Sequence, residues 1–500
     1  MGNRSYSSHG SLVCWPPDLA KDGESLGFGR PALKSLALRL AAARAALLRL
    51  PAIAASWGKK ARPWFLFVIY NSLLALLFPI VAVAFLWHVL LRGHARVGLL
   101  ERLGMVPPSL PEDNSTLGPG IWLHAVSVGE VVAALPVVKR IYQSTSLPLL
   151  ASVTTPTGRQ VGESRLRDLV SAFFYFPFDF PLPVRSLLDA VSPACLVLME
   201  SEIWPNLIFL ARARGTRIVL ANGRISDRSF RLARLFRPLY KWALNNLHLL
   251  CMQSEADQRR AIALGASPEQ TLVAGNVKFD ELDASLQPPF SRADFGLGPQ
   301  DLVMLAGSTH QGEDECLLDA YWQVRVYNPE ARLMIAPRHL QRVGEVEELI
   351  LARGFSSVRR SQLSAHLAAA HPDTTPVILV DTMGELASLY SLCSFAFVGG
   401  SLVRKGGQNI LQPLAQGKPV FFGPHMENFR EIARQAAEAG VGFQVKNAFE
   451  LAGKISSLWK DHSLMEELSR KARDFISLNK GASATCAQAI LDLTRKEPGT

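Results

Sequence analysis

The sequence predicts an α/β fold with two doubly wound parallel sheets. Short apolar runs alternate with helical segments along most of the chain, and each run ends in polar residues that could touch a ligand. This alternation is typical of parallel sheets with helices on both faces. The pattern occurs twice, on either side of a Pro- and Gly-containing linker at Glu281–Pro299. We therefore expect two α/β domains with a ligand cleft between them.

Residues 1–62 have the composition of an organelle transit peptide. They contain only three acidic residues, whereas arginines recur through an Ala/Leu-rich helical stretch at 30–50. Transit peptides are amphipathic, rich in arginine and poor in acids. A basic helix lying on a membrane surface has a similar composition, so the sequence leaves both interpretations open.

Residues 64–91 predict a membrane anchor. They contain no Asp, Glu, Lys or Arg, and the stretch exceeds the roughly 20 apolar residues that span a bilayer. Trp64 and Trp87 suit interfacial positions, and Pro79 would kink the helix. Basic residues flank both ends, so the sequence fixes neither the orientation nor whether the helix spans the bilayer or inserts into one leaflet.

The first α/β domain is expected over residues 107–285. Its first strand, Ile121–Ala125, is followed by a turn of small residues and a helix that carries Glu130 in its first turn. A carboxylate there either complements the helix dipole or takes a proton from a substrate hydroxyl as a general base. The residues alone leave these two roles equally open.

Three further features of this domain draw attention. Glu200 and Glu202 follow another strand, where they form a solvated rim or a polar pair that supports a site. Arg224 and Asp227 are expected to pair with each other. Lys278 suits a phosphate leaving group, although a lone lysine is more often simply solvated.

The second α/β domain is expected over residues 300–495, and its loops suggest a nucleotide site. Ile335–His339 and Val380–Leu386 are apolar strands that run into polar loops, where ligands of open α/β sheets bind. In Phe397–Gly423, a strand leads into a glycine-rich loop and then a helix predicted from about Asn409 to Gln416. Such a loop lets the backbone approach a ligand, and a helix N-terminus offers free N–H groups to an anion.

Composition narrows the class of partner. The 500 residues carry a formal net charge of +10, which favours an anionic partner or surface. Nucleic acid is disfavoured because the basic residues are dispersed and no zinc-finger or RNP-like sequence occurs. The six cysteines are widely spaced without a CxxC pair, so we interpret them as reduced core thiols and expect neither disulfides nor a zinc site.

Nine short segments, taken together and in this order, resemble the 3-deoxy-D-manno-octulosonic acid (Kdo) transferases of lipopolysaccharide biosynthesis. The likeness covers roughly residues 65–470. The segments are HAVSVGE (124–130), TTPTGRQ (154–160), MESEIWPN (199–206), ANGRIS (221–226), GNVKFD (275–280), AGSTHQGEDE (306–315), APRH (336–339), DTMGEL (381–386) and GGQNILQP (406–413).

The resemblance implies a GT-B glycosyltransferase with an N-terminal membrane helix. Its first Rossmann-like domain would hold the acceptor, a phosphorylated and acylated glucosamine disaccharide that is the lipid A precursor. Its second would bind the donor, CMP-Kdo. Neither a metal nor another cofactor is expected, since the family is metal-independent and the chain has no Asp-x-Asp.

The resemblance also assigns roles to individual residues. Glu130 matches the catalytic base, and Glu200 and Lys278 match positions that stabilise the transition state. The segments that match the CMP-binding sites comprise Pro337, Arg338, Met383, Gly384, Glu385, Asn409, Ile410, Leu411 and Gln412.

The chain departs from the family pattern at three places. Gln412 stands where the family usually has Glu, which removes a charge-assisted acceptor, and Gln408 replaces the usual His. The third departure is the N-terminal extension of about sixty residues, absent from bacterial relatives. It predicts a plant or algal enzyme directed to an organelle, mitochondrion ahead of chloroplast, with the bacterial inner membrane as the alternative location.

Two other functions remain to be distinguished. Nucleotide-sugar epimerases of the UDP-GlcNAc 2-epimerase type share the GT-B fold, but they are usually soluble. A membrane-tethered binding module without catalysis would tolerate Glu130→Gln, whereas a transferase would not.

Overall fold

The computed structural model describes residues 65–76, 98–105, 107, 110, 119–281, 290–368 and 375–495. The predicted transit segment lies outside these ranges. Of the predicted anchor, residues 65–76 are described, and they form a helix (α1). Among the described residues, no helix combines the length and apolar character needed to cross a bilayer, so the anchor stays a prediction.

The first sheet has seven parallel strands in the order β3-β2-β1-β4-β5-β6-β7. Chain order reverses direction between β1 and β4, which pair side by side, and this switch point is where ligands of open α/β sheets bind. The strands are β1 Ile121–Ala125, β2 Leu149–Val153, β3 Ala172–Tyr175, β4 Cys195–Met199, β5 Arg217–Gly223, β6 Leu249–Met252 and β7 Thr271–Val273.

Helices connect these strands, as parallel pairing requires. They are α2 Leu99–Arg102, α3 Val128–Ser144, α4 Pro156–Leu166, α5 Pro181–Val191, α6 Pro205–Ala213, α7 Asp227–Leu235, α8 Arg237–Asn245 and α9 Glu255–Leu264. A 3-10 turn, Val277–Phe279, follows β7.

The second sheet also has seven parallel strands, in the order β10-β11-β9-β8-β12-β13-β14, and it differs from the first in that β11 lies between β9 and β10. Its switch point lies between β8 and β12. The strands are β8 Val303–Thr309, β9 Arg332–Pro337, β10 Ser357–Arg359, β11 Val377–Leu379, β12 Phe395–Val398, β13 Val420–Phe422 and β14 Gly442–Gln444. The two sheets confirm the predicted pair of parallel α/β layers.

The helices that follow β8 include the last segments of the chain. They are α10 Asp314–Tyr327, α11 Val343–Ala352, α12 Leu363–Ala368, α13 Leu386–Leu389, α14 Leu411–Ala415, α15 Arg430–Glu438, α16 Ala448–Trp459, α17 His462–Asn479 and α18 Ala482–Arg495.

The residues that form the two cores do not follow the expected domain boundaries. Phe295 and Leu297 pack in the core of the second sheet, so that domain includes residues before 300. The last helix, α18, does not pack on the second sheet: its Cys486 and Ile490 are buried in the core of the first. The sequence assigned this helix to the second domain, because no local signal identified which sheet it would cover.

Candidate active site

Three loops meet at the carboxyl edge of the first sheet. β1, β4 and β5 are neighbours, so the loops that follow them lie side by side. These loops carry Glu130, Glu200 and Glu202, and Arg224. The sheet order thus gathers three carboxylates that are up to 72 residues apart in sequence at the switch point.

Glu130 lies in the first turn of α3, and its carboxylate is partly buried. Its Oε2 accepts a hydrogen bond from the backbone N–H of Val126 at 2.6 Å. The pKa of Glu130 is raised to about 7: burial is the largest cause and the charges of Glu202 and Glu200 add to it, while the Val126 bond and Arg224 oppose the rise. A carboxylate with this pKa is matched to proton transfer at neutral pH.

Glu200 is held in an unusual backbone conformation. Its φ of 53° lies in the left-handed region, which costs a residue other than glycine about 1 kcal/mol or more. Two backbone hydrogen bonds hold it there: Glu200 N donates to Ala221 O at 2.9 Å, and Glu200 O accepts from Arg224 N at 3.1 Å. The side chain is only 11% exposed, so its direction is fixed by the loop around it.

Glu202 completes the carboxylate cluster. Burial raises its pKa to about 7, and the charge of Glu200 adds to the effect. The sequence paired it with Glu200 as a possible supporting residue but gave no sign of its perturbed pKa. That value depends on burial, which only the folded loop determines.

Lys278 reaches this cluster from the 3-10 turn after β7. Its Nζ lies 4.0 Å from Glu200 Oε1 and 5.1 Å from the centre of the Phe429 ring. Because Phe429 precedes α15 of the second domain, the ammonium group touches both domains. Lys278 therefore pairs with Glu200, and the charge of Glu200 acts in turn on Glu130.

The predicted pairing of Arg224 with Asp227 is wrong. Asp227 instead accepts from Arg260 Nη2 at 2.5 Å, since α9 packs beside the start of α7. Arg224 is exposed at the cleft, where its charge acts on Glu130.

At the second switch point, a buried glutamate that the sequence did not single out for this role organises the glycine-rich loop. Glu313 is fully buried, and its Oε1 accepts from the N–H groups of Ser401 and Leu402, both at 2.9 Å. Its Oε2 accepts from Gly400 N at 2.6 Å and His310 N at 2.9 Å. The backbone amides at the start of this loop are thus bound to a carboxylate of the protein.

Side chains rather than these amides remain available at that edge. Arg338 and Lys405 are exposed, and both raise the local positive potential enough to help lower the pKa of His310, for which burial is the main cause. The His310 and His339 rings meet edge to face with centroids 5.7 Å apart. This cluster of basic side chains can attract a phosphate.

The other residues predicted to bind the donor differ in burial and in hydrogen bonding. Pro337 ends β9 and is buried, while Arg338 N donates to Thr309 O at 2.9 Å. Met383 is 82% exposed, with Gly384 beside it. Glu385 accepts from Thr382 Oγ1 at 2.5 Å and pairs with Arg360 Nε at 3.5 Å.

The segment from Asn409 to Gln412 differs from the predicted helix start. The helix here is short, Leu411–Ala415, and Asn409 Oδ1 accepts from Leu411 N at 2.9 Å. Ile410 and Leu411 are fully buried in the core of the second sheet, so only their backbone can face a ligand. Gln412 is half-buried on the helix surface.

Comparisons with known proteins show which family this chain resembles. The family model described as 3-deoxy-D-manno-octulosonic-acid transferase (kdotransferase) matches residues 97–281. A 3-deoxy-D-manno-octulosonic acid transferase of Haemophilus influenzae is 32% identical over 434 residues, which cover 85% of this chain and 97% of that protein. A probable mitochondrial 3-deoxy-D-manno-octulosonic acid transferase of Arabidopsis thaliana is 29% identical over 421 residues, covering 82% and 92%.

A bifunctional glycosyltransferase/methyltransferase of Fusobacterium nucleatum is also similar. It is 36% identical over 353 residues, covering 70% of this chain, which spans about half, 54%, of that longer protein. Among solved structures, the UDP-GlcNAc 2-epimerase from Neisseria meningitidis bound to UDP-GlcNAc has a TM-score of 0.51 at 12% identity. That match covers 76% of this chain and 100% of the epimerase, and it shows the fold alone.

Two parallel seven-stranded sheets, each with its ligand edge at a switch point, define a protein of the GT-B architecture. Within that architecture, the chain belongs to the family of 3-deoxy-D-manno-octulosonic acid transferases, a family of glycosyltransferases.

Proposed function

We propose that this chain transfers Kdo from CMP-Kdo to a hydroxyl of a lipid A precursor or a lipid A-like acceptor, with inversion at the anomeric carbon. Family membership supports the transferase reaction. The observation that supports the mechanism best is the carboxylate cluster at the first switch point, where Glu130 has a pKa near 7.

Glu130 is the general base of the proposed reaction. The acceptor hydroxyl oxygen attacks the anomeric carbon of Kdo while its proton passes to Glu130. The bond from that carbon to the phosphate oxygen breaks, and CMP leaves. Burial favours this role because it raises the pKa of Glu130 to near neutral pH, and a general base is most effective when its pKa is close to the working pH.

Glu200 and Lys278 stabilise the charges that develop in the transition state. Lys278 lies between the domains and brings a positive charge toward the departing phosphate, while Glu200 holds the ammonium group at 4.0 Å. The exposed Arg338 and the segments Met383–Glu385 and Asn409–Gln412 hold the nucleotide. We propose no metal ion for this step, because the ammonium and guanidinium groups supply the positive charge.

The acceptor is a phosphorylated, acylated disaccharide drawn from a membrane. The net charge of +10 suits two anionic substrates at such a surface. The name of the Arabidopsis relative supports a mitochondrial location, with residues 1–62 as the transit segment. N-terminal sequencing of the mature protein tests this location, and retention of residues 1–50 would contradict it.

The function is tested by incubating detergent-solubilised full-length protein with CMP-Kdo, generated in situ, and a tetraacylated lipid A precursor. Mass spectrometry should detect one or more Kdo masses added to the lipid. A CMP titration accompanies the assay. Tight CMP binding without transfer would mean that the acceptor differs, whereas neither binding nor transfer would contradict the proposed function.

A further inference from the structure

Lys278 occupies a turn whose two neighbours belong to different domains. The side chain of Val277 is fully buried in the core of the first sheet. That of Phe279 is buried in the core of the second, where its ring meets Phe475 of α17 with centroids 5.6 Å apart. Lys278 therefore sits at the junction of the two cores, and any shift of one domain against the other displaces its backbone.

The first domain fixes one side of this turn by hydrogen bonds. Asn222, itself fully buried with a φ of 54°, accepts from Val277 N through its Oδ1 at 3.2 Å. Asn276 Oδ1 accepts from Lys278 N at 3.1 Å, and its amide donates to Gln253 Oε1 at 3.0 Å. These hydrogen bonds fix the backbone of Val277 and Lys278, from which the lysine side chain extends.

Asp280 fixes the other side by binding a distant part of the chain. Its Oδ1 accepts from Gly481 N at 2.7 Å, and its Oδ2 accepts from Ser483 N at 2.6 Å. These amides lie at the start of α18, where the chain leaves α17 of the second domain and returns to the first sheet. Asp280 thus joins the two places at which the chain crosses between the domains.

We propose that Asp280 is a positioning residue for Lys278. By pinning the start of α18 it fixes the three-residue turn, and the turn holds the ammonium group against Glu200 and Phe429. The inference rests on the proposed function for the catalytic role of Lys278, but the mechanical link between Asp280 and the turn is independent of it.

A double-mutant cycle on Kdo transfer tests the link. Asn caps helices about as well as Asp, but its NH2 group replaces one of the two carboxylate oxygens, each of which accepts one N–H here, so Asp280→Asn loosens the contact and keeps the fold. We expect kcat to fall about 100-fold in Lys278→Ala and about 10-fold in Asp280→Asn. The double variant should fall about 100-fold, no further than Lys278→Ala alone, because the two residues act as one unit.

Amide hydrogen exchange on the ligand-free variants provides a readout that needs no activity. Asp280→Asn should speed exchange at Val277–Phe279 and at the first turn of α18 by about 10-fold or more. Asp461→Asn is the matched control: Asp461 accepts from Leu464 N at 3.0 Å at the start of α17, away from the lysine, and its replacement should leave kcat and the turn unchanged.

Two results would overturn the inference. One is a double variant whose loss is the product of the single losses, about 1,000-fold, since that is expected of independent structural effects. The other is unchanged exchange at Val277–Phe279 in Asp280→Asn. If wild type transfers no Kdo, the proposed function fails instead, and the exchange measurement alone decides the inference.

Discussion

Glu130 and Glu202 both titrate near neutral pH because the first switch point buries carboxylates close together. Burial raises the pKa of each to about 7, and the charge of Glu200 acts on both. As the proposed base, Glu130 must be ionised before the acceptor hydroxyl arrives. The kcat/KM of the wild type should therefore decrease as the pH falls through about 7.

Replacing Glu202 tests this electrostatic account. Glu202→Gln removes a negative charge that helps raise the pKa of Glu130, so that pKa should fall. The acidic limb of the kcat/KM profile should move to lower pH by roughly half a unit. Steady-state kinetics between pH 5 and pH 9 measure the shift, with Glu255→Gln, an exposed carboxylate on α9, as the control. An unmoved limb would show that Glu202 does not act on the base.

At the scale of residues, the sequence indicated individual residues of the candidate site but not the groups that surround them in the folded protein. Glu130 was recognisable because it follows a strand and begins a helix, where a carboxylate reaches a cleft. The partner of Asp227 was not, because Arg260 lies 33 residues away on α9 and only the fold brings them to 2.5 Å. The raised pKa of Glu202 could not be predicted for the same reason.

At the scale of elements, the glycine-rich loop after β12 has a structural role that the sequence did not predict. Its glycines do allow close approach: a Cβ on Gly399 would lie 2.3 Å from Ser308 O. The approaching group is the protein itself, since Glu313 accepts four backbone N–H groups. The sequence did not reveal this role of Glu313, because three of its four N–H donors lie 87–89 residues further on.

Glu313→Gln should loosen this loop. An amide has one accepting oxygen, so two of the four N–H groups lose their acceptor and the variant should lose about 2–4 kcal/mol of unfolding free energy. CMP should bind at least about 10-fold more weakly, because the loop leads into the donor-binding segment. Denaturant unfolding and a CMP titration measure the two effects.

The matched control for Glu313 is Glu348→Gln, a change at an exposed position on α11. It should leave both stability and CMP affinity unchanged. Full CMP affinity in a destabilised Glu313→Gln protein would show that the carboxylate holds the core but does not shape the donor site.

At the scale of the whole molecule, the sequence predicted both sheets because the central strands are apolar and the connections between them are long enough for a crossover helix. It did not predict the path of the last helix. The apolar residues of α18 would suit either sheet. The helix is buried in the core of the first, and Asp280 accepts a hydrogen bond from Gly481 N just before the helix begins.

The core of the first domain should therefore depend on a residue at the other end of the chain. The side chain of Ile490 in α18 is fully buried in that core, so Ile490→Ala should cost about 2–5 kcal/mol of unfolding free energy. The loss should appear in the unfolding of the first domain, followed by exchange of the β1 and β5 amides. Leu478→Ala, at a side chain 84% exposed on α17, is the control. Loosening of the second sheet alone would contradict this packing.

The most direct test of the mechanism is Kdo transfer by Glu130→Gln compared with wild type and with Glu163→Gln, an exposed carboxylate on α4. Gln has nearly the shape of Glu but cannot accept the hydroxyl proton. We expect kcat to fall about 100-fold or more while CMP affinity stays unchanged, and Glu163→Gln to transfer Kdo at the wild-type rate. A Glu130→Gln variant that transfers Kdo at the wild-type rate would contradict the account, because the buried carboxylate would then serve only the start of α3.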